Sequence, residues 1–531
     1  MKRDSVYGAK GAKEQAGPRM VAVIDIGASS LRMQIAEILQ ATGEIRKLES
    51  FSQAVSVGRD SFTTGRIEKS TIEDCVRVLQ IYRDKLNEYG IVDPGEIRVI
   101  ATSGVREATN RLAFSDRVFV ATDFEIEPFD EAELHRVTYL GILPFLKGHP
   151  KYFSKPTIAF EAGGGTSELL FLDGLDVLYS RTYRLGSLRL RKALEEYDAP
   201  IARSLAVIEV QIRQTIEDFK ASTKNAAPKN FLAMGGDVRF AAKEIKHKPV
   251  GDALVELKLE SLSKFTDEIL AQSPDSLATK YHMSLPDAKS LGPGLLIQLM
   301  FAKELNVDKF LVVNVNLRDG LIKEMAQSKA SRDSIQSQIT QSAIRVGKRY
   351  KFNEAHATHV AKLACDLFDQ LLPLHRLPLR FRLILEIAAI LHEIGYFVNA
   401  KSRHKHSAFL ISNSEFFGIG AKDLELVSLV ARYHRGASPL PRHDNYAKLD
   451  RFKRVAVSKL AAILRIAKAL DSSRQQRVNE IRCQDRPNFV ELTTPDVEEI
   501  SMEQLEVRQI GQLFADIFGK EIVFETAGNR S

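Results

Sequence analysis

Apolar residues along this chain fall into short runs closed by an acid and a cluster of small residues, and one such plan occurs twice. Val21–Ile24 is an apolar run that predicts a buried strand. Asp25 ends it, and Gly27-Ala28-Ser29-Ser30 follows as a turn. Leu31–Leu39 predicts the next strand, Thr42-Gly43 the turn, and Glu44–Phe51 the returning strand. The second copy starts at Ile158. Its acid is Glu161, its turn is Gly163-Gly164-Gly165-Thr166-Ser167, and Asp173-Gly174 predicts a hairpin before the return over Leu175–Thr182. Internal repetition of strand, acid, small-residue loop, strand, turn and strand is a fold-level signal, stronger than either loop alone.

Between and after the copies the period changes. Ser70–Tyr89 places Ile72, Val76, Leu79 and Leu86 on one helical side. Glu96–Ala101 and Phe124–Ile126 predict strands. Arg189–Tyr197 and Ile201–Lys220 predict helices separated by Pro200. Asn230–Arg239 reads as strand, glycine turn and helix, Gly292-Pro293-Gly294 as the opening of another helix, and Lys309–Val315 as a strand. Gln327–Ile339 is polar and predicts a linker or a first exposed helix. Beyond it the pattern is helical until Asn488–Thr493 (strand), Gln512–Phe518 (helix) and Glu521–Glu525 (strand). The expected division is a disordered tail over 1–18, α/β domains over 19–150 and 151–328, a helical domain over 329–478 and a small α+β cap over 479–531.

Composition narrows the class. At 531 residues several domains are expected, and 44% hydrophobic content is ample for their cores. Cys75, Cys365 and Cys483 lie far apart, which argues against a disulfide framework or a zinc site and for a reducing compartment. No apolar run is long enough to span a membrane, and the first residues lack the apolar core of a signal peptide, so a cytoplasmic location is expected. The net charge of +7 favours polyanionic partners, with no specific nucleic-acid module in evidence.

The loop chemistry suits phosphate. Glycines let backbone N–H groups approach an anion, and hydroxyls add donors. A carboxylate beside such a loop repels phosphate unless a cation lies between, so Asp25 and Glu161 suggest a magnesium–phosphate site.

Asp25-Ile-Gly-Ala-Ser-Ser30 and Glu161-Ala-Gly-Gly-Gly-Thr166 resemble the two loops of the exopolyphosphatase / guanosine pentaphosphate phosphohydrolase family, which belongs to the superfamily of actin, sugar kinases and heat-shock chaperones. Glu161 stands where that family usually has aspartate. Thr102-Ser-Gly-Val-Arg106-Glu-Ala108 resembles its T-S-A-x-R-x-A segment, which implies that Arg106 contacts phosphate. Glu131-Ala-Glu-Leu134 is the best match to the stretch whose glutamate is the proposed general base, with Glu133 a competitor because extra residues precede Gly141. Asn230–Arg239 resembles the third glycine motif, with Asp237 in place of threonine, and Asn316–Gly320 resembles the closing element. The resemblance implies two actin-like (ribonuclease H-like) α/β domains.

Further on, His356, His392-Glu393 and Asp471 resemble the ligand pattern of a helical HD-type domain, with Glu393 in place of the aspartate. The pattern wants a compact ligand there, so a structural module with a basic, histidine-rich surface (His404, His406, Arg432, His434, Arg435) is the leading expectation and a metal centre the alternative. The function implied is Mg²⁺-assisted release of the terminal phosphate of inorganic polyphosphate. In that reading Asp25 and Glu161 serve the metal, Gly27, Ser29, Ser30, Gly163, Gly164, Gly165, Thr166 and Ser167 the phosphate, Arg106 clamps and Glu131 is the base. Guanosine pentaphosphate is the alternative substrate, and a non-catalytic nucleotide-binding regulator the alternative class. A homodimer is the assembly carried forward, with nothing in the sequence to fix it.

Overall fold

The computed structural model describes residues 17–40, 42–196, 201–223, 226–248, 250–251, 253–326, 329–497 and 499–525. Residues 1–16 of the expected tail, Tyr197 and Pro200 at the expected helix break, and Gln327 at the start of the expected linker lie outside them. The chain forms two units, Met1–Arg332 and Asp333–Ser531.

The first unit contains two lobes built on one plan. In the first, β1 (Arg19–Ile26), β2 (Ser30–Leu39) and β3 (Glu44–Ala54) form an antiparallel meander. β4 (Ile97–Ala101) lies parallel to β1, and β5 (Ile126–Pro128) parallel to β4, giving the order β3-β2-β1-β4-β5. The second lobe repeats the meander with β6 (Thr157–Ala162), β7 (Ser167–Asp173) and β8 (Asp176–Tyr183). β9 (Asn230–Met234) is parallel to β6, and β11 (Lys309–Val312) parallel to β9. β10 (Val255–Leu257) adds an antiparallel edge, for the order β10-β11-β9-β6-β7-β8. The likeness extends to irregularities: the second and third strands of each meander slip register, at Ile35/Ala36 and at Phe171/Leu172.

β1 is apolar from Met20 to Ile24 because both its faces are covered. Ala22, Ile24 and Ile26 enter the core beneath the helix Lys69–Glu88. Val21 and Val23 point the other way, into a core shared with Val137 of the helix Glu131–Gly148 and with Leu321 and Ile322 of the helix Leu317–Ala326. That last helix follows the second lobe's final strand yet completes the first lobe's core. The second lobe's core is aromatic: Phe231 stacks on Phe310 at 5.2 Å between ring centroids and meets Phe160 at 5.5 Å, and Phe160 lies 4.5 Å from Phe301.

Two expectations are corrected. Gly292-Pro293-Gly294 does not open a helix; it lies inside Leu285–Glu304, which Ser284 caps by accepting the N–H of Asp287. The small residues are there for contact. A Cβ at Gly292 would sit 2.7 Å from Leu270 Cδ2, and one at Gly294 would sit 2.0 Å from Asp237 Oδ2. The strand expected over Phe124–Ile126 begins only at Ile126. The reason is that Asp123 takes a left-handed conformation (φ 55°) to end the preceding helix, and the N–H of Phe124 donates to Thr122 Oγ1.

The second unit is helical, with Glu354–Gln370, Arg380–Leu391, Arg403–Ser412, Ala421–Arg432 and Arg451–Ala469 as its main elements. The polar stretch expected as linker or helix is a helix, Lys329–Arg349. The last helix buries an almost continuous apolar face, from Ala456 to Ala469. A small sheet follows, with β12 (Arg482–Asp485) antiparallel and β14 (Glu521–Glu525) parallel to the central β13 (Phe489–Thr493).

Candidate active site

The two repeated hairpins face one cavity of about 420 Å³ in the first unit. Each turn is closed the same way. Gly27 N–H donates to Ser30 O at 3.0 Å, and Gly163 N–H donates to Thr166 O at 2.8 Å. The strand pairing then sets the chemistry. Asp25 on β1 lies opposite Arg32 on β2, and Glu161 on β6 lies opposite Glu168 on β7. All four side chains line the cavity, together with Gly27, Ser29, Ser30, Gly163, Gly164, Gly165 and Thr166. Ser167 does not line it; its hydroxyl donates to Leu185 O at 2.6 Å and it is fully buried.

The lobes approach closely at Gly165. A Cβ there would lie 2.4 Å from Phe62 Cζ and 2.7 Å from Ser103 Oγ, so only glycine fits. Arg189 covers this contact: its guanidinium sits 3.9 Å from the Phe62 ring, donates to Gly165 O at 2.6 Å and pairs with Glu107 at 2.7 Å. Arg184 pairs with the same carboxylate at 2.5 Å, and against the effect of burial the two arginines hold Glu107 below the usual carboxylate range.

Arg318 brings a third element to the site. Asn316 and Asp319 bond reciprocally at the start of the helix Leu317–Ala326, each side chain accepting the other's N–H at 3.1–3.2 Å. Asp319 also accepts from Gln34 Nε2 at 3.0 Å and Lys47 Nζ at 2.8 Å. So fixed, the helix start places Arg318 Nη1 3.3 Å from Asp25 Oδ2.

The acids are crowded and enclosed. Burial pushes the Glu161 carboxyl up, with Arg239 and Arg32 opposing and Asp25 adding to the rise. Burial and then Glu161 push Glu168 up to about 8, although Thr166 Oγ1 donates to it at 2.7 Å. Asp25 Oδ1 is buried without a hydrogen-bond partner among the described residues. Carboxylates that raise one another's affinity for protons, with an orphaned oxygen among them, form an all-oxygen donor set that suits a hard divalent cation. At the far end, burial and Asp287 push Asp237 up to about 7.

Arg106 and Glu131 are outside the cavity lining. Arg106 Nη1 donates to Phe129 O at 2.9 Å, and its Nη2 lies 3.9 Å from Glu131 Oε1. Leu134, one turn along the same helix, does line the cavity, which places Glu131 at its rim. Glu133 has a different task. Asp130 accepts its N–H, and its own carboxylate accepts the Asp130 N–H at 3.0 Å, a capping box that starts the helix. Arg32, Glu168, Arg239 and Arg318 went unassigned in the sequence. For the first two the signal was present: each stands seven positions after its hairpin's acid, which in two paired strands makes them cross-strand neighbours.

Residues 33–329 match the model of the Ppx/GppA phosphatase family, and residues 340–499 match Ppx/GppA phosphatase, domain III. The chain belongs to this family. Its phosphatases hydrolyse phosphoanhydride bonds and typically use divalent metal ions. Among curated relatives, the guanosine-5'-triphosphate,3'-diphosphate pyrophosphatase of Aeromonas hydrophila is 24% identical over 472 residues, covering 86% of this chain and 88% of that protein. The protein of the same name from Vibrio vulnificus is 22% identical, covering 84% and 86%. A crystal structure of an exopolyphosphatase from Cytophaga hutchinsonii covers 58% of this chain and 98% of its own, at 17% identity and a TM-score of 0.51. That likeness extends to the α/β fold. Among the described residues no helix is long and apolar enough to cross a membrane.

Proposed function

We propose that the first unit hydrolyses a terminal phosphoanhydride and releases orthophosphate. The observation that carries this reading is the meeting of two acid-and-glycine hairpins over one cavity, which Asp25 and Arg32 of the first, Glu161 and Glu168 of the second, and Arg318 all line. Asp25 and Glu161 would hold Mg²⁺, with Glu168 within its reach. When bound, that ion neutralises charge on the phosphoryl oxygens. The N–H groups and hydroxyls of Gly27, Ser29, Ser30, Gly163, Gly164, Gly165 and Thr166 orient the terminal phosphate. Arg32 and Arg318 stabilise charge as it builds on the oxygens. Arg106, held at the rim by Phe129 O, steadies Glu131, which orients and accepts a proton from the attacking water. The helical part of the second unit reads as an HD-like module and its three-stranded sheet as a cap.

Inorganic polyphosphate is the leading substrate reading, supported by the chain's net charge of +7. Guanosine pentaphosphate is the second reading, favoured by the name that the full-length relatives carry. Side-by-side turnover of long polyphosphate and guanosine pentaphosphate, with and without Mg²⁺, tests both. Release of phosphate from neither, in the presence of Mg²⁺, sinks the proposal.

A further inference from the structure

In the second unit His356, His392 and Glu393 bring ligand atoms within 4.8 Å of one another, on the residues that carry the HD-type pattern, and Asp471 accepts from His356 Nδ1 at 2.7 Å. The first unit holds a larger space. A cavity of about 640 Å³ opens beside the helix Leu317–Ala326, and none of its described lining residues lines the phosphate cavity. Its walls follow from local sequence. β2 and β3 slip register at Ile35/Ala36, which leaves Leu48 unpaired and sets Lys47 opposite Ala36 and Ile45 opposite Ile38. Paired residues of an antiparallel ladder share a face, so Lys47 and Ile45 join Gln34, Ala36 and Ile38 on the side that the helix Leu317–Ala326 covers. Without the slip Leu48 and Arg46 would take that side. On the opposite wall Pro144 lies inside the helix Glu131–Gly148 and cannot bond back to Leu140 O. The neighbouring carbonyl, Gly141 O, accepts from Lys323 Nζ at 2.8 Å. Gly141 itself lets Val315 close in, since a Cβ there would sit 2.7 Å from Val315 Cγ1.

The lining divides by chemistry. Ile45, Phe145, Val315 and Ile322 form an apolar side, and Arg46, Lys47 and Lys323 a cationic one. Asp319 is the one acid among the described lining residues, and its charge is already met. Its Oδ1 lies 2.8 Å from Lys47 Nζ and accepts from Gln34 Nε2 at 3.0 Å. Gln34 and Asp319 are both buried and form the floor, while Arg46 and Lys47 are exposed at the mouth. Three cations against one carboxylate leave a surplus of positive charge beside apolar surface. An ammonium carries three donors, so Lys47 can hold Asp319 and a second anion together. A concave, partly apolar space of roughly 300–1,000 Å³ with a few placed polar groups is the usual form of a small-molecule site.

We propose that this cavity is an effector site for a small organic anion, with a phosphate-type head on Lys47 and Lys323 and an apolar ring or chain against Phe145 and Ile45. Its effect reaches the phosphate cavity through Asp319. That carboxylate takes Lys47 on Oδ1 and the Asn316 N–H on Oδ2 at 3.1 Å, and the helix start so fixed places Arg318 3.3 Å from Asp25. An anion that takes a share of Lys47 weakens its hold on Asp319 and loosens the turn that carries Arg318. Bound there, the anion lowers turnover without entering the phosphate cavity. Binding depends on nothing in the proposed hydrolysis; only the effect on turnover rests on that reading.

The test uses naphthylphosphonate, whose head cannot be hydrolysed, on the full chain in EDTA. Calorimetry should give one equivalent bound. Inorganic phosphate, the head without the body, should bind at least about tenfold more weakly, because burying the ring supplies the rest. Ile45→Glu, an acid on the half-buried apolar wall, and Lys323→Ala should each weaken binding by about tenfold or more. Arg32→Ala, in the phosphate cavity, should not. Thermal unfolding checks the variants, and Lys323→Ala carries the test if Ile45→Glu does not fold. Hydrogen exchange over residues 314–320 should quicken when the probe binds, because the Asn316 N–H loses a fixed acceptor. In a turnover assay kcat should fall at unchanged KM, and the fall should disappear in Lys323→Ala. No binding by the wild type, equal affinity for inorganic phosphate, binding that both variants leave unchanged, or binding that Arg32→Ala abolishes overturns the site. Unchanged exchange over 314–320, or a rise in KM in place of the fall in kcat, overturns its coupling to Arg318. A chain that releases no phosphate from any anhydride fails the hydrolysis reading alone, because calorimetry and exchange still decide this one.

Discussion

Replacing Glu168 with glutamine should stabilise the metal-free protein at neutral and alkaline pH and remove activity at the same time. In the fold the carboxyl is pushed up to about 8, by burial first and by Glu161 second. The folded state therefore holds a proton that the unfolded chain releases near pH 4.3–4.5. A carboxyl raised in this way leaves stability intact below the unfolded value. It then costs stability progressively as pH rises towards 8. At pH 7 the penalty works out at about 3.5 kcal/mol, taking 1.36 kcal/mol for each pH unit above the unfolded value. Glutamine keeps the shape and can still accept from Thr166 Oγ1, but it carries no charge to bury. Thermal unfolding in EDTA at pH 5, 6, 7 and 8 reads the effect. The wild type should lose stability across this range, and Glu168→Gln should lose less, with a difference on the order of 5 °C at pH 7. Adding Mg²⁺ should narrow the gap, because a cation beside Glu161 relieves the repulsion. If the two proteins lose stability in parallel from pH 5 to 8, Glu168 is ionised and solvated in the fold, and the crowded-acid account of this site is wrong.

Glu161→Ala should cut phosphate release by orders of magnitude while the circular dichroism spectrum stays unchanged; near wild-type turnover would refute the two-hairpin site. Glu131→Gln should lose hydrolysis by roughly 10²–10⁴-fold and retain polyphosphate binding in a filter assay. Glu133→Gln should leave turnover nearly intact and lower helix stability by about 1 kcal/mol at most, since the amide still accepts the Asp130 N–H. Swapped outcomes would move the base to Glu133. Gly165→Ala, pressed against Phe62 Cζ and Ser103 Oγ, should destabilise the first unit by about 1–3 kcal/mol in denaturant titrations. A neutral result would mean the lobes do not meet as closely as described.

What the sequence made legible was local. A strand, its acid, its turn and the return strand lie within some thirty residues, so apolar alternation and turn residues identify each hairpin without knowledge of the rest. Helices such as Lys69–Glu88 and Gln512–Phe518 were equally readable from their period. What stayed hidden depends on distant partners. Gly292 and Gly294 read as a helix opening because glycine and proline usually interrupt helices. Their reason is contact with Leu270 and Asp237, which no window around residue 293 contains. Arg318 looked like part of a closing loop. Its place at the site depends on Asp25, almost three hundred residues earlier, and on Gln34 and Lys47 holding Asp319. The second unit's histidines were visible as residues but not as a convergent set, because hydrogen bonding to Ala389, Ala431 and Asp471 decides where each lone pair points.

The helix Leu317–Ala326 has a bearing on how the protein is made. Leu321 and Ile322 fill a core whose members on the first sheet, Val21, Val23, Ala36, Ile38 and Ile100, leave the ribosome more than two hundred residues sooner. At an elongation rate of about 5–20 residues per second, the part of that face beneath Leu321 and Ile322 stays uncovered for roughly ten seconds or more while the second lobe is synthesised, with Val137 already in place. The lobes are therefore one synthetic unit despite their separate sheets. A gene fragment ending at the last strand of the second lobe would encode every glycine of both hairpins and still yield an open-backed first lobe. A cut near Arg332 would yield a closed one.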